Sequence, residues 1–135
     1  MFFDIDDTIF DYKKCSEAAL KKTCQRLKTV YSKQLLLSYR KLDNELWGQQ
    51  KQGKLTVAQV IQKRANGIAT EMEKPDIGSK FEVTFGDELG KSTEPIEGVG
   101  KALEYVYRKG YNLFCASNGI KTMQINRMQE AGLLN

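Results

Sequence analysis

The chain has 135 residues, 41% hydrophobic and 28% charged, which is enough apolar side chain for one compact core and too much for a disordered chain. Its net charge of +4 comes from 21 basic and 17 acidic residues, with lysines scattered among acids, which favours solvated helix faces over a nucleic-acid groove. With no histidine, Ser-His-Asp and Cys-His catalysis and His-based zinc sites are excluded within this chain, so acid–base chemistry falls to carboxylates, Lys, Tyr or Cys.

The chain opens on Phe2-Phe3-Asp4-Ile5, short, apolar and aromatic, which predicts a buried strand over residues 2–5. It meets acid at once, with no basic start, so a signal peptide is not expected. From residue 12 to residue 89 only helical periodicity is visible. Ala19, Leu20, Thr23, Leu27 and Val30 make one face, and Leu35, Tyr39, Leu42 and Leu46 another. Gly53 breaks the pattern, and Thr56 with Gln59 reads as a capping box before Val57, Val60, Ile61, Ala65 and Ile68. Lys74-Pro75 marks a further break, after which Asp76 can cap a last helix carrying Ile77, Phe81 and Leu89. Val99, Ala102, Leu103, Val106 and Tyr107 then fall at helical spacing, with Gly110 suited to the stop. Residues 111–116 form a second apolar strand ending at Ser117-Asn118-Gly119. A final helix follows over about residues 121–131, with Ile125 and Met128 on one face and Gly132 at its end.

Strand, helix, strand, helix is the alternation of a parallel α/β sheet. An all-helical segment interrupts that core between its strands. Four helices exceed one crossover connection, which favours a separate insert over helices that simply pack on the sheet. The expected division is a core of residues 1–12 and 90–135 with an insert of residues 13–89. Cys15, Cys24 and Cys115 are odd in number and widely spaced, so reduced core thiols are expected. No apolar run approaches the roughly 20 residues of a membrane span, and a cytoplasmic protein is the expectation.

Asp4-Ile5-Asp6-Asp7-Thr8 places acids at the C-terminal end of a strand, where ligands of parallel sheets bind. A two-residue period aims Asp4 and Asp6 to one side. Two carboxylates so close attract a divalent cation, and a cation would let Asp4 act as a nucleophile on phosphorus. Asp6 could protonate the leaving oxygen. The alternative is a loop in which Asp7 or Thr8 caps a helix. Ser117-Asn118-Gly119, at a strand end leading into a helix, suits an anion through its hydroxyl, its amide and the helix N-terminus. The same residues also favour an ordinary turn.

Taken together, the DxDxT after an apolar strand, the helical insert, and the second strand with Ser117-Asn118-Gly119 resemble the haloacid dehalogenase superfamily, along essentially the whole chain. Residues 46–56 resemble the cap of bacterial pyrimidine 5′-nucleotidases of that superfamily. The implied fold is an α/β, Rossmann-like parallel sheet, incomplete here, with an all-helical cap inserted after the first strand. The resemblance implies that Asp4 becomes an aspartyl-phosphate and that Asp6 is the general acid and then the base that activates water. It implies magnesium on the Asp4 carboxylate and the Asp6 backbone carbonyl. Thr8 would hold the loop, and Ser117, Asn118 and Gly119 the phosphate oxygens. A phosphatase acting on a small phosphorylated substrate, as a nucleoside 5′-monophosphatase does, is the implied activity, and neither a membrane nor a nucleic-acid polymer is an expected partner. The family's later Lys and acidic residues have no match before Asn135, so the chain reads as truncated and as inactive alone. Phe10 and Trp47 are the aromatic candidates for substrate contact. A non-catalytic remnant acting as a binding module, and a basic helical nucleic-acid binder, are the competing readings.

Overall fold

The computed structural model describes residues 1–117 and 119–133. It is mostly helical with a short parallel sheet. In chain order the elements are β1 (Phe2–Asp4), α1 (Tyr12–Arg26), α2 (Lys33–Lys51), α3 (Val57–Glu71), a 3-10 turn (Pro75–Ile77), α4 (Gly78–Lys91), α5 (Val99–Arg108), β2 (Phe114–Ala116) and α6 (Lys121–Glu130). Two compact units result: Met1–Ala18 with Leu89–Asn135, and Ala19–Glu88.

In the first unit β1 and β2 are adjacent and parallel, with Phe2 opposite Phe114, Phe3 opposite Cys115 and Asp4 opposite Ala116. The expected pairing is therefore present, but both strands are shorter than expected and neither is buried. Phe2 is 75% and Phe114 52% exposed, their rings 5.3 Å apart. A sheet of two short strands has too little neighbouring surface to bury its own side chains. The core of this unit instead forms around the turn after β1, where Ile5, Ile9 and Phe10 are buried with Cys15, Leu89 and Met128. The helix stops fall where Gly was expected to sit: Gly110 and Gly132 follow the caps of α5 and α6 with φ of 85° and 69°, left-handed values that cost glycine little. α5 has no buried residue despite its apolar stripe. On α6 the inward residues are Gln124, Arg127 and Met128, whereas Ile125, expected inside, is exposed.

The second unit is helical. Leu35, Tyr39 and Leu46 of α2 and Val60, Ala65 and Ile68 of α3 are buried, as their spacing predicts. Phe81 stacks on Phe85, and Tyr39 lies 5.2 Å from Phe85. The capping box forms in full: Gln59 N donates to Thr56 Oγ1 at 3.2 Å and Thr56 N donates to Gln59 Oε1 at 2.9 Å. Ser32 caps α2, its Oγ accepting from Leu35 N at 3.0 Å. Two expectations fail here. Val30 lies beyond α1 and is 86% exposed, because the helix ends at Arg26 and Lys28 turns at φ 54°. Asp76 lies inside the 3-10 turn, because Pro75 occupies its first position and α4 begins at Gly78.

Cys15, Cys24 and Cys115 are free thiols. The first two are buried as expected. Cys115 is exposed, because β2 has no covering layer among the described residues. Burial pushes the Cys24 thiol upward, partly offset by its hydrogen bond with Thr29, and desolvation also raises Cys115.

Candidate active site

The turn after β1 is fixed by its backbone. Ile9 N and Phe10 N both donate to Ile5 O, at 2.9 and 3.0 Å, and Asp7 N donates to Phe10 O at 2.7 Å. Burial of Ile5, Ile9 and Phe10 anchors this turn, so the acids between them are presented by a rigid loop. Asp7 adopts φ 60°, and its Oδ1 accepts from Tyr12 N at 3.2 Å. Asp11 Oδ1 accepts from Lys14 N at 3.1 Å. Helix capping therefore falls to Asp7 and Asp11, which leaves Asp4 and Asp6 for other work. Thr8 lies exposed in the turn.

Asp4 is exposed at the end of β1. Its Oδ1 accepts from Ile5 N at 2.8 Å, while among the described residues Oδ2 accepts no hydrogen bond. One oxygen thus fixes the carboxylate and the other stays open. Opposite Asp4 in the ladder is Ala116, followed by Ser117. Ser117 Oγ accepts from Gly119 N at 3.0 Å and from Gln124 Nε2 at 2.8 Å. Both lone pairs are then occupied, and the hydroxyl hydrogen is the group left to donate, which suits an anion. Just beyond, α6 starts at Lys121 with no side-chain cap on its first turn, so its N–H groups and dipole add to a positive corner. Gly119 is close-fitted there. A Cβ on it would meet Gln124 Nε2 at 2.9 Å and Ser117 Oγ at 3.3 Å. Asn118 lies outside the described residues.

Asp6 is one-third exposed and held through both oxygens. Arg127 NH1 donates to Oδ1 at 2.7 Å, and Gln124 Nε2 donates to Oδ2 at 3.1 Å. Arg127 is 1% exposed. It also donates to Gln124 Oε1 at 2.8 Å and to Ser92 O at 3.4 Å, and its guanidinium lies over the Phe10 ring at 4.7 Å. Gln124 thus joins Asp6 to Ser117, while among the described residues no hydrogen bond links Asp4 to Asp6. Gln124 and Arg127 are absent from the sequence expectations. The signal available was a Gln and an Arg three apart on the helix after the second motif, flanking Ile125 and beside Met128.

The aromatic candidates fare differently. Phe10 is fully buried beneath Arg127, so its ring supports that guanidinium and offers no face to a ligand, which corrects the expectation of substrate contact. Trp47 is half-buried in the second unit, where its Nε1 donates to Asp43 Oδ1 at 3.1 Å. Among the described residues no three acidic or thiol side chains cluster as a metal site. The Asp4 carboxylate and a main-chain carbonyl are nonetheless hard oxygen donors. Magnesium commonly takes only one or two protein carboxylates, with waters and phosphate oxygens completing its shell, so the donor set fits.

Residues 1–135 match the family described as haloacid dehalogenase-like hydrolase. The chain is 23% identical over 133 residues to the HAD-hydrolase YfnB of Bacillus subtilis, and 20% identical over 134 residues to the pyrimidine 5′-nucleotidase PynA of Streptococcus pneumoniae. Those alignments cover 98% and 99% of this chain but 56% of each relative, so the chain spans about half their length. A crystal structure of YfnB bound to magnesium superposes with a TM-score of 0.91 at 22% identity, over 98% of this chain and 59% of that one.

Proposed function

This chain belongs to the haloacid dehalogenase-like hydrolase family, and on that premise we propose that it carries the nucleophile and the acid–base group of a magnesium-dependent phosphomonoesterase. The observation that carries this reading is Asp4, with one oxygen pinned by Ile5 N and the other open, one ladder position from the donor end of β2. Asp4 attacks phosphorus through its free oxygen. The bond to the leaving oxygen breaks with its electron pair, and that oxygen takes a proton from Asp6. Water then opens the aspartyl-phosphate. Its proton passes to Asp6, the Asp4 carboxylate is regenerated and inorganic phosphate departs. Ser117, Asn118, Gly119 and the start of α6 bind the phosphoryl oxygens, and Thr8 supports the loop. Magnesium on the Asp4 carboxylate and the Asp6 carbonyl would neutralise charge on those oxygens.

The substrate class we propose is a nucleoside 5′-monophosphate. Support comes from PynA, named a pyrimidine 5′-nucleotidase, and from the resemblance of residues 46–56 to the cap of such enzymes. We assign residues 1–12 and 90–135 to the catalytic core and residues 13–89 to the cap, with Trp47 as the candidate for stacking on a base. A cytoplasmic setting is part of the proposal; among the described residues no helix is long and apolar enough to cross a membrane. The test is a steady-state screen of the intact gene product against nucleoside monophosphates and sugar phosphates, with and without magnesium. Magnesium-dependent release of phosphate, fastest from pyrimidine monophosphates, is expected. Tight phosphate binding with no turnover on any substrate would instead favour a non-catalytic binding module.

A further inference from the structure

The geometry points to Gln124 and Arg127 as positioning residues for Asp6, a clamp that holds its carboxylate ready to take the proton of the attacking water. This rests on the reading of Asp6 as the acid–base group, and it adds two residues which that reading does not contain.

The clamp follows from the donor and acceptor inventory. Arg127 can only donate, so the Gln124 atom 2.8 Å from its NH1 is the carbonyl oxygen. The amide nitrogen of Gln124 is thereby turned toward Asp6 Oδ2, at 3.1 Å, and Ser117 Oγ, at 2.8 Å. Arg127 NH1 takes Oδ1, at 2.7 Å. Both Asp6 oxygens therefore accept hydrogen bonds, the pattern of a carboxylate acting as a base. The clamp is itself immobilised. Arg127 is 1% and Gln124 6% exposed, the guanidinium rests on Phe10, and its Nε donates to Ser92 O. Gln124 and Arg127 lie three residues apart on one side of α6, one turn past the proposed phosphate corner. Because Gln124 binds Asp6 and Ser117 with one nitrogen, it sets the distance between the base and a phosphate-binding hydroxyl. A water attacking phosphorus needs that spacing held closely.

The consequence is a defect confined to the second chemical step. Water attack transfers one proton to Asp6, forms a P–O bond and breaks the bond between phosphorus and Asp4, whose carboxylate recovers the electron pair. With p-nitrophenyl phosphate the leaving group needs no proton, so formation of the aspartyl-phosphate is spared.

The experiment uses the intact gene product with magnesium and p-nitrophenyl phosphate, comparing Gln124→Met, Gln124→Glu, Arg127→Met and Arg127→Lys with the unaltered protein and with Asp6→Asn. For Gln124→Met we expect kcat to fall about 10- to 100-fold. KM should fall in parallel, kcat/KM should stay within about threefold, and rapid mixing should show a burst of p-nitrophenol approaching one per active site. Gln124→Glu, which sets a second carboxylate against Asp6, should be at least as slow, and Arg127→Lys should recover part of what Arg127→Met loses. A general loss of folding would instead lower kcat and kcat/KM together and abolish the burst, and that result would overturn the clamp if Gln124→Met and Arg127→Lys both showed it. So would unchanged kcat in Gln124→Met beside a stalled Asp6→Asn. Unimpaired turnover in Asp6→Asn would remove the role of Asp6 itself, a separate failure belonging to the functional reading.

Discussion

Replacing Asp4 by Asn keeps the size of an exposed side chain and its acceptor for Ile5 N, but removes the oxygen that would attack phosphorus. Turnover of the intact gene product should fall at least about 1,000-fold, with the thermal midpoint unmoved, as steady-state assay and circular dichroism would show. Gly119→Ala tests the phosphate corner. Its added carbon would press on Gln124 Nε2 and Ser117 Oγ, so we expect weaker inhibition by inorganic phosphate and slower turnover in an otherwise folded protein. The cysteines divide by exposure: a thiol reagent should label Cys115 in the folded 135-residue chain, while Cys15 and Cys24 react only after unfolding. For Cys24, burial raises the pKa, so its thiolate appears at higher pH in the folded than in the unfolded chain and labelling should lag further behind. At this scale the sequence spoke most clearly where backbone chemistry leaves a local mark. The acids after Phe2-Phe3 and the Ser and Gly after the second strand were legible because small and charged residues at a strand end are unusual. Gln124 and Arg127 were not legible, because a polar residue on a helix carries no local sign of the partner 118 or 121 positions away that buries it.

Among the elements, α2 and α3 follow the period-3.6 rule closely and the strands do not behave as their composition suggests. Leu35, Tyr39, Leu46, Val60, Ala65 and Ile68 face inward because each has a helical partner surface, so their spacing alone foretold their burial. Phe2 and Phe114 are as apolar as any of them yet exposed, because burial in a strand depends on neighbours that two strands cannot supply. The capping box of α3 was visible in Thr56 and Gln59, and Thr56→Ala should cost about 1 kcal/mol in a denaturant titration. Asp43 and Arg64, both nearly buried, pair at 2.7 Å, with Trp47 on the same carboxylate and the guanidinium over Tyr39 and Phe85. Removing one partner strands a buried charge. Asp43→Ala should therefore destabilise by about 3–5 kcal/mol, far more than the loss of the exposed pair of Arg26 with Asp87.

Over the whole chain, the alternation of elements, the parallel pairing of the two strands and the helical segment between them all follow from periodicity and punctuation. The exposure of β1, β2 and α5 does not, since it depends on what else lies against them. That exposure has a measurable consequence within the 135-residue chain: amides of α5 should exchange with solvent faster than those of α2 and α3, whose inward faces are packed. The chain spans 56% of the relatives it matches, so the chemistry is to be tested on the intact gene product. Central to the account is covalent phosphorylation of Asp4. The direct measurement is to quench the enzyme during turnover of p-nitrophenyl phosphate with magnesium, reduce it with borohydride and sequence the N-terminal peptide by mass spectrometry. Homoserine is expected at position 4, the reduction product of an aspartyl-phosphate, enriched in Gln124→Met and absent from Asp4→Asn. An unmodified Asp4 under conditions of turnover, or homoserine at another aspartate, would contradict it.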